Sequence, residues 1–186
     1  MIIGLSGYAR SGKDTVAKIL VEEYAFERIA FADKIRELLF EINPVLADGQ
    51  TLNELITDYG WEIAKAQPKV RSLLQSVGVA GRTVLGDDIW IHALWNELQL
   101  YDKHYVISDV RFKNEADFVR EAGGQLWRIN RASINPVNNH ISESDLDDYT
   151  FTQTIDNDGS IDDLKALIKS FKISPEELQE YKDDVL

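Results

Sequence analysis

Residues 7–15 read Gly7-Tyr8-Ala9-Arg10-Ser11-Gly12-Lys13-Asp14-Thr15, a glycine-rich turn between two patterned segments. Before it, Ile2-Ile3-Gly4-Leu5-Ser6 is a short apolar run of the kind a buried strand presents. After it, Val16, Ala17, Ile19, Leu20 and Val21 recur at helical spacing within Ser11–Glu23. The turn matches G-x-x-x-x-G-K, whose glycines permit a tight backbone path that turns successive N–H groups inward. The helix beginning near Gly12 then aims the positive end of its dipole at an enclosed phosphate. Lys13 is placed to bridge the β- and γ-phosphates of a nucleotide, and a lysine in a bare turn needs no such glycines beside it. Asp14 departs from the pattern, because Ser or Thr ordinarily follows the lysine. A carboxylate beside phosphates is tolerable mainly with a metal between them, so either Asp14 or Thr15 serves Mg2+.

Further along, Arg28–Phe31 reads as a second strand and Asp33–Ile42 as a helix, with Asp33 as its N-cap. Residues 43–100 look mostly helical, with Thr51–Tyr59, Pro68–Val79 and Asp88–Leu98 separated by Gly60, Gly78, Gly81 and Gly86. Strand patterns return at Tyr105–Ser108, Gln125–Ile129 and Tyr149–Ile155, with helices at Lys113–Ala122 and Ile161–Phe171. Arg131–Asp148 is polar, and the acidic tail after Ser174 reads as a solvated helix over Glu176–Asp184. Alternating strands and helices imply an α/β fold, a three-layer parallel sheet of about five strands with helices on both faces. Ligands in such sheets bind outside the carboxyl ends of the strands.

Composition narrows the function classes. The 186 residues suit a single domain, and 44% hydrophobic with 28% charged residues is ordinary for a globular chain. Without cysteine there is no disulfide, thiolate catalysis or cysteine-bound zinc. The three histidines have no ligand spacing. A net charge of −12 argues against binding a nucleic acid polymer, which calls for a basic footprint, but not against a small phosphate compound. No apolar run reaches the ~20 residues of a membrane span. With no signal-peptide pattern at Met1, the chain reads as soluble and cytoplasmic.

The loop, read as G-x-x-R-S-G-K-D-T, resembles that of bacteriophage deoxynucleoside monophosphate kinases. Val70-Arg71-Ser72-Leu73-Leu74-Gln75-Ser76-Val77-Gly78 is similar to that family's R-x-L-x-Q-x-x-G, with Asp88-x-Trp90 following. Ser108-Asp109-Val110-Arg111 resembles its strand-terminal D-x-R, and His140-Ile141-Ser142-Glu143 and Asn157-Asp158-Gly159-Ser160 match two further motifs. The shared order spans most of residues 1–170. The resemblance implies a P-loop nucleoside-monophosphate-kinase fold, ATP with Mg2+, and conversion of a deoxynucleoside monophosphate to its diphosphate. It implies a core over about 1–42 and 101–172, a helical acceptor-binding insertion over about 43–100 and a lid over about 131–148. Arg10 and Lys13 would serve the phosphates within the Gly7, Ser11, Gly12, Asp14 and Thr15 cradle. Asp109 would lie near Mg2+, and Arg111 would contact the transferred or acceptor phosphate. Arg71 and Gln75 would line the acceptor pocket near Trp90. Arg36 stands where the family carries a lysine. A viral source, and with it the host cytoplasm, is implied by the resemblance alone, which leaves a homodimer open.

The residues themselves leave alternatives. Asp109 follows a strand where a metal-side carboxylate belongs, yet it also suits a helix N-cap. Arg71 and Gln75 are four apart and share a helix face, either as acceptor contacts or as a solvated polar face. Arg128 and Arg131 flank the polar stretch; Arg131 is the better candidate to reach a transferred phosphate on closure, or it is a plain surface arginine. Asn157 and Gly159 cradle the adenine of ATP or form an ordinary turn before a helix. The expected reaction is in-line transfer to an acceptor phosphate oxygen, with no enzyme nucleophile. The rivals are a kinase of dephospho-coenzyme A or phosphomevalonate, and a regulatory module that holds ATP without transfer.

Overall fold

The computed structural model describes residues 1–46, 49–98, 103–134, 144–171 and 173. Its centre is β1 (Ile2–Ser6), buried at every position. Parallel strands flank it on both sides: β3 (His104–Ile107) then β2 (Phe26–Ile29) on one, β4 (Gln125–Asn130) then β5 (Gln153–Asp156) on the other. The five-stranded parallel sheet bears out the α/β expectation. A central parallel strand is covered on both faces, which is why β1 is buried at every position and does not alternate. The strand order changes direction at β1, and its carboxyl end is therefore the crevice of this sheet.

One face is covered by α1 (Lys13–Tyr24) and by a C-terminal helix, Ile161–Lys169. Ile3, Leu5, Val16, Leu20, Trp127, Ile129, Ile155, Leu164 and Ile168 form their shared core. Burying each such side chain fully contributes about 1.5–3 kcal/mol. The other face carries the helix Lys113–Glu121, which lies close to β1 because Gly4 has no side chain. A Cβ there would meet Leu126, Val110 and Val119 at 3.0–3.1 Å.

The chain divides into two compact units, Met1–Ala30 with Leu98–Leu186, and Phe31–Glu97. The second consists of α2 (Phe31–Ile42), α3 (Leu52–Ala64), α4 (Pro68–Leu85) and α5 (Ile89–Trp95). It has its own core of Leu39, Leu52, Leu55, Ala64 and Val70. The helices on the sheet faces, Lys113–Glu121 and Ile161–Lys169, complete the series as α6 and α7.

Several boundaries differ from the sequence expectation. α2 begins at buried Phe31, so Asp33 is no N-cap; it lies in the first turn, paired with Arg36 at 2.8 Å. α4 runs through Gly78 and Gly81 to Leu85, so these glycines are not separators. Gly81 admits the ring of Trp90, whose indole N–H donates to the Gly78 carbonyl at 3.0 Å, and Gly78 faces Ile35. α3 passes Gly60 with a kink, at φ 76 and ψ 164. β5 starts at Gln153, not Tyr149, because Tyr149 and Thr150 are engaged by α6. The Tyr149 hydroxyl donates to Asp117 at 2.6 Å and Arg120 donates to the Thr150 carbonyl at 2.8 Å. His140–Glu143 and the tail after Ser174 lie outside the described residues.

Candidate active site

The loop leaves β1 at Ser6 and enters α1 at Lys13. Gly7 has φ 137, and a Cβ there would lie 2.2 Å from the Ile129 carbonyl oxygen. Gly12 has φ 108, and its Cβ would lie 2.1 Å from Nδ2 of Asn157. No side chain fits at either place, which is why the sequence carries glycine at both. Arg10 takes the left-handed φ of 69 between them, and its side chain is exposed.

Lys13 Nζ donates to the carbonyls of Gly7 (2.6 Å) and Tyr8 (2.8 Å), so the ammonium is held within the loop. Gly12 is the N-cap of α1 and supplies no side-chain cap, and the positive end of the helix dipole there favours an anion. Ser11 is 1% exposed, and its Oγ has no hydrogen-bond partner among the described residues. A buried orphan hydroxyl, a helix N-terminus without a side-chain cap and two side-chain-free positions beside one lysine fit the phosphates of a nucleotide. Asp14 is exposed and Thr15 half-buried in the first turn of α1. Among the described residues, no three His, Cys, Asp or Glu side chains converge. Asp14, Thr15 and Asp109 offer the hard oxygen ligands that suit Mg2+, which ordinarily takes one or two carboxylates with phosphate and water oxygens.

Asp109 is half-buried two residues beyond β3, at the carboxyl edge of the sheet. It is not the cap of α6. That position is Phe112, and Glu115, 3% exposed, reaches back from the first turn to accept from the N–H groups of Arg111 (2.8 Å) and Phe112 (3.1 Å). This carboxylate sets the turn that carries Arg111.

A cavity beside the loop brings together Gly7, Lys13, Arg111, Arg128 and Leu146. Arg111 was expected here. Arg131 is exposed just past the end of β4 and does not line the cavity. Arg128 does, because its Cα is in register with Ser6 of β1. Nη2 of Arg128 donates to Asp147 Oδ1 at 2.7 Å, and its guanidinium lies 4.9 Å from the Tyr8 ring centre and 5.6 Å from that of Phe151. The Tyr8 hydroxyl also donates to Asp147, at 3.0 and 3.1 Å. Burial foremost, then the hydrogen bond to Asp147, raises the Tyr8 pKa and keeps the phenol a donor.

Asn157 donates from Nδ2 to the Ser11 carbonyl at 2.9 Å, and its own N–H donates to the Asn130 carbonyl at 2.9 Å. It thus braces the phosphate loop from the turn after β5. Gly159 is exposed beside the cap of α7, where Ser160 and Asp163 bond reciprocally. Tyr8, Glu115 and Asp147 were missed by sequence reading. None carries a local motif, although strand parity favours Arg128: its neighbours Trp127 and Ile129 face the α1 core, so Arg128 faces away from it.

In the helical unit, Arg71 and Gln75 are both exposed on α4, one turn apart. Arg36 is paired with Asp33, and its guanidinium lies 5.9 Å from the Trp61 ring centre. Trp90 is 6% exposed, and its indole packs against Gly81.

The profile of the deoxynucleotide monophosphate kinase family matches residues 1–58 and 45–168. A protein of Acanthamoeba polyphaga mimivirus, provisionally named a deoxynucleotide monophosphate kinase, is 35% identical over 166 residues, covering 78% of this chain and 82% of its own. The uncharacterized protein ORF76 of Ictalurid herpesvirus 1 (strain Auburn) is 29% identical over 175 residues, with 90% of this chain covered; this chain spans 65% of that protein's length. Among solved structures, shikimate kinase from Aquifex aeolicus aligns with a TM-score of 0.43 and 12% identity, covering 91% of this chain and 95% of its own. The profile match and the mimivirus relative together show that this chain belongs to the deoxynucleotide monophosphate kinase family.

Proposed function

We propose that this kinase transfers the γ-phosphoryl group of ATP to a deoxynucleoside monophosphate, releasing ADP and the deoxynucleoside diphosphate. The observation that carries this reading is the cavity beside the loop, where Lys13 and Arg111 converge next to Gly7. Two cations on one cavity suit a site where phosphate groups meet. Family membership supports a nucleotide as the substrate.

Lys13, the α1 N–H groups and Ser11 Oγ hold the phosphates of ATP, with Arg10 at the loop's outer side. Arg111 neutralises charge on the transferred or acceptor phosphate, and Arg71, Gln75 and Arg36 serve the acceptor. An acceptor phosphate oxygen is already ionised at neutral pH. It attacks the γ-phosphorus while the bond to the β–γ bridging oxygen breaks, and no side chain need become a nucleophile. Catalysis is then positioning and charge stabilisation. Asp14, Thr15 and Asp109 are the residues to hold Mg2+, which when bound offsets the negative charge of the phosphates. Asn157 keeps the loop in shape for this task.

The test is ADP release from ATP and Mg2+ with each deoxynucleoside monophosphate, each ribonucleotide counterpart and dephospho-coenzyme A, with Lys13→Ala as the blank. Turnover with one or more deoxynucleotides, lowered at least about 100-fold by Lys13→Ala, is the expected result. Turnover confined to dephospho-coenzyme A would replace the acceptor. Nucleotide binding with no turnover on any acceptor would replace the catalytic reading with a holding one.

A further inference from the structure

We propose that Arg128 is a phosphate-contacting residue of this site and that Asp147 is its positioning residue. The inference rests on the reading of the loop as a phosphate site and extends it to residues outside any recognised motif.

Arg128 lines the same cavity as Lys13 and Arg111, and its side chain is 12% exposed. Three cations around one small cavity repel one another. Anions among them offset that repulsion, and Asp147 is one such anion, held on Arg128. Asp147 is also shared: its two oxygens accept the Tyr8 hydroxyl as well as Nη2 of Arg128. A guanidinium has five N–H donors in a rigid fork, so bonding one carboxylate oxygen leaves donors for a second acceptor. The Tyr8 and Phe151 rings, 4.9 and 5.6 Å from the guanidinium carbon, limit its swing. Such a cation is held in place before any ligand arrives, which lowers the ordering cost of binding.

The segment that carries Asp147 is itself fixed by α6. The backbone N–H of Lys113 donates to Asp145 at 2.9 Å, and Lys113 Nζ pairs with Asp148 at 2.9 Å. Arg120 and Asp117 hold Thr150 and Tyr149 in the same way. Asp147 therefore projects from a segment anchored to α6 and meets Tyr8 of the loop. This chain of contacts sets where Arg128 points.

Calorimetric titration of inorganic tripolyphosphate tests the assignment without requiring turnover. The proteins are wild type, Lys13→Ala, Arg128→Ala, Arg128→Lys, Asp147→Asn and Asp147→Glu, each checked for a cooperative thermal transition. Arg128→Ala is expected to weaken binding about 10- to 100-fold, the range for a hydrogen bond to a charged group. Arg128→Lys keeps the charge but loses the fork, and is expected to weaken it several-fold; it carries the test if the alanine variant does not fold. A carboxylate that merely lies near an anion site repels the anion, and removing its charge tightens binding. A positioning carboxylate gives the opposite sign. Asp147→Asn should therefore weaken tripolyphosphate binding, and Asp147→Glu should recover part of the loss. Wild-type affinity in both Arg128 variants, with Lys13→Ala impaired, would overturn the role of Arg128 alone. Unchanged or tighter binding by Asp147→Asn would overturn the role of Asp147. Unimpaired binding by Lys13→Ala would instead remove the phosphate-site reading on which both rest.

Discussion

The side-chain amide of Asn157 donates to the Ser11 carbonyl across 2.9 Å, although the two residues lie 146 positions apart. The same Nδ2 occupies the space where a Cβ on Gly12 would stand. The loop is thus shaped from outside as well as by its own glycines.

This relationship predicts a graded pair of variants. Asn157→Ala removes one hydrogen bond, worth about 0.5–1.5 kcal/mol, and should leave a folded protein with weakened nucleotide affinity. Gly12→Ala places a Cβ against Asn157 at a φ that L-residues rarely adopt, and should lose more affinity. Titration of ATP into both variants decides it; equal affinity for Gly12→Ala and wild type would show that the loop tolerates the side chain.

Gly81 in α4 offers a test of packing against helix propensity. Replacing a helical glycine by alanine ordinarily gains up to about 1 kcal/mol. Here the new Cβ would stand 2.5 Å from Cζ2 of Trp90, inside contact distance of a buried ring. Overpacking of this kind costs about 1–3 kcal/mol, so Gly81→Ala should be destabilising on balance. A raised urea midpoint would mean that Trp90 moves aside freely.

Glu115 holds two backbone N–H groups from a buried position. Glu115→Gln keeps one acceptor oxygen but loses the charge, and should cost about 1–3 kcal/mol of stability. Because those N–H groups belong to Arg111 and Phe112, turnover should fall beyond what the lost stability explains. Measuring kcat well below the melting transition separates the two; an unchanged kcat would confine Glu115 to stability.

Alkaline stability should fall in a definite direction. Burial first, then a hydrogen bond to a carboxylate, raises Tyr8 and Tyr149 above 10.0, while burial and then the charge of Glu23 raise Tyr24. The folded chain keeps these phenol protons where the unfolded chain has lost them. Their contribution is complete below the ordinary value of 10.0 and is lost as pH rises through the raised values. Lys113 and Lys165, raised by their bonds to Asp148 and Glu23, act with the same sign. Urea midpoints measured from about pH 8 to 11 should hold and then drop, less steeply for Tyr149→Phe. An identical slope in that variant would exclude Tyr149 as a contributor.

Much of the molecule was legible in the chain itself. The short apolar run Ile2–Leu5, the glycines before Lys13 and the alternation of periods two and 3.6 are local signals, and they sufficed for a parallel α/β sheet with a glycine-rich loop at its crevice. What only the tertiary structure decided depends on residues far apart in sequence. Gly78 and Gly81 look like helix breaks until Ile35 and Trp90 are found against them, since local propensity knows nothing of the neighbours that fill the gaps. Tyr149 has strand-like character, but α6 engages it before β5 begins. Arg131 is exposed just past β4, while the pairing of β4 with β1 puts Arg128 beside Ser6 and the loop. Glu115, an ordinary first-turn acid in sequence, becomes the buried acceptor that shapes the turn bearing Arg111. Periodicity and turn chemistry are written within a few residues, but which charges share a cavity is decided only when strands pair.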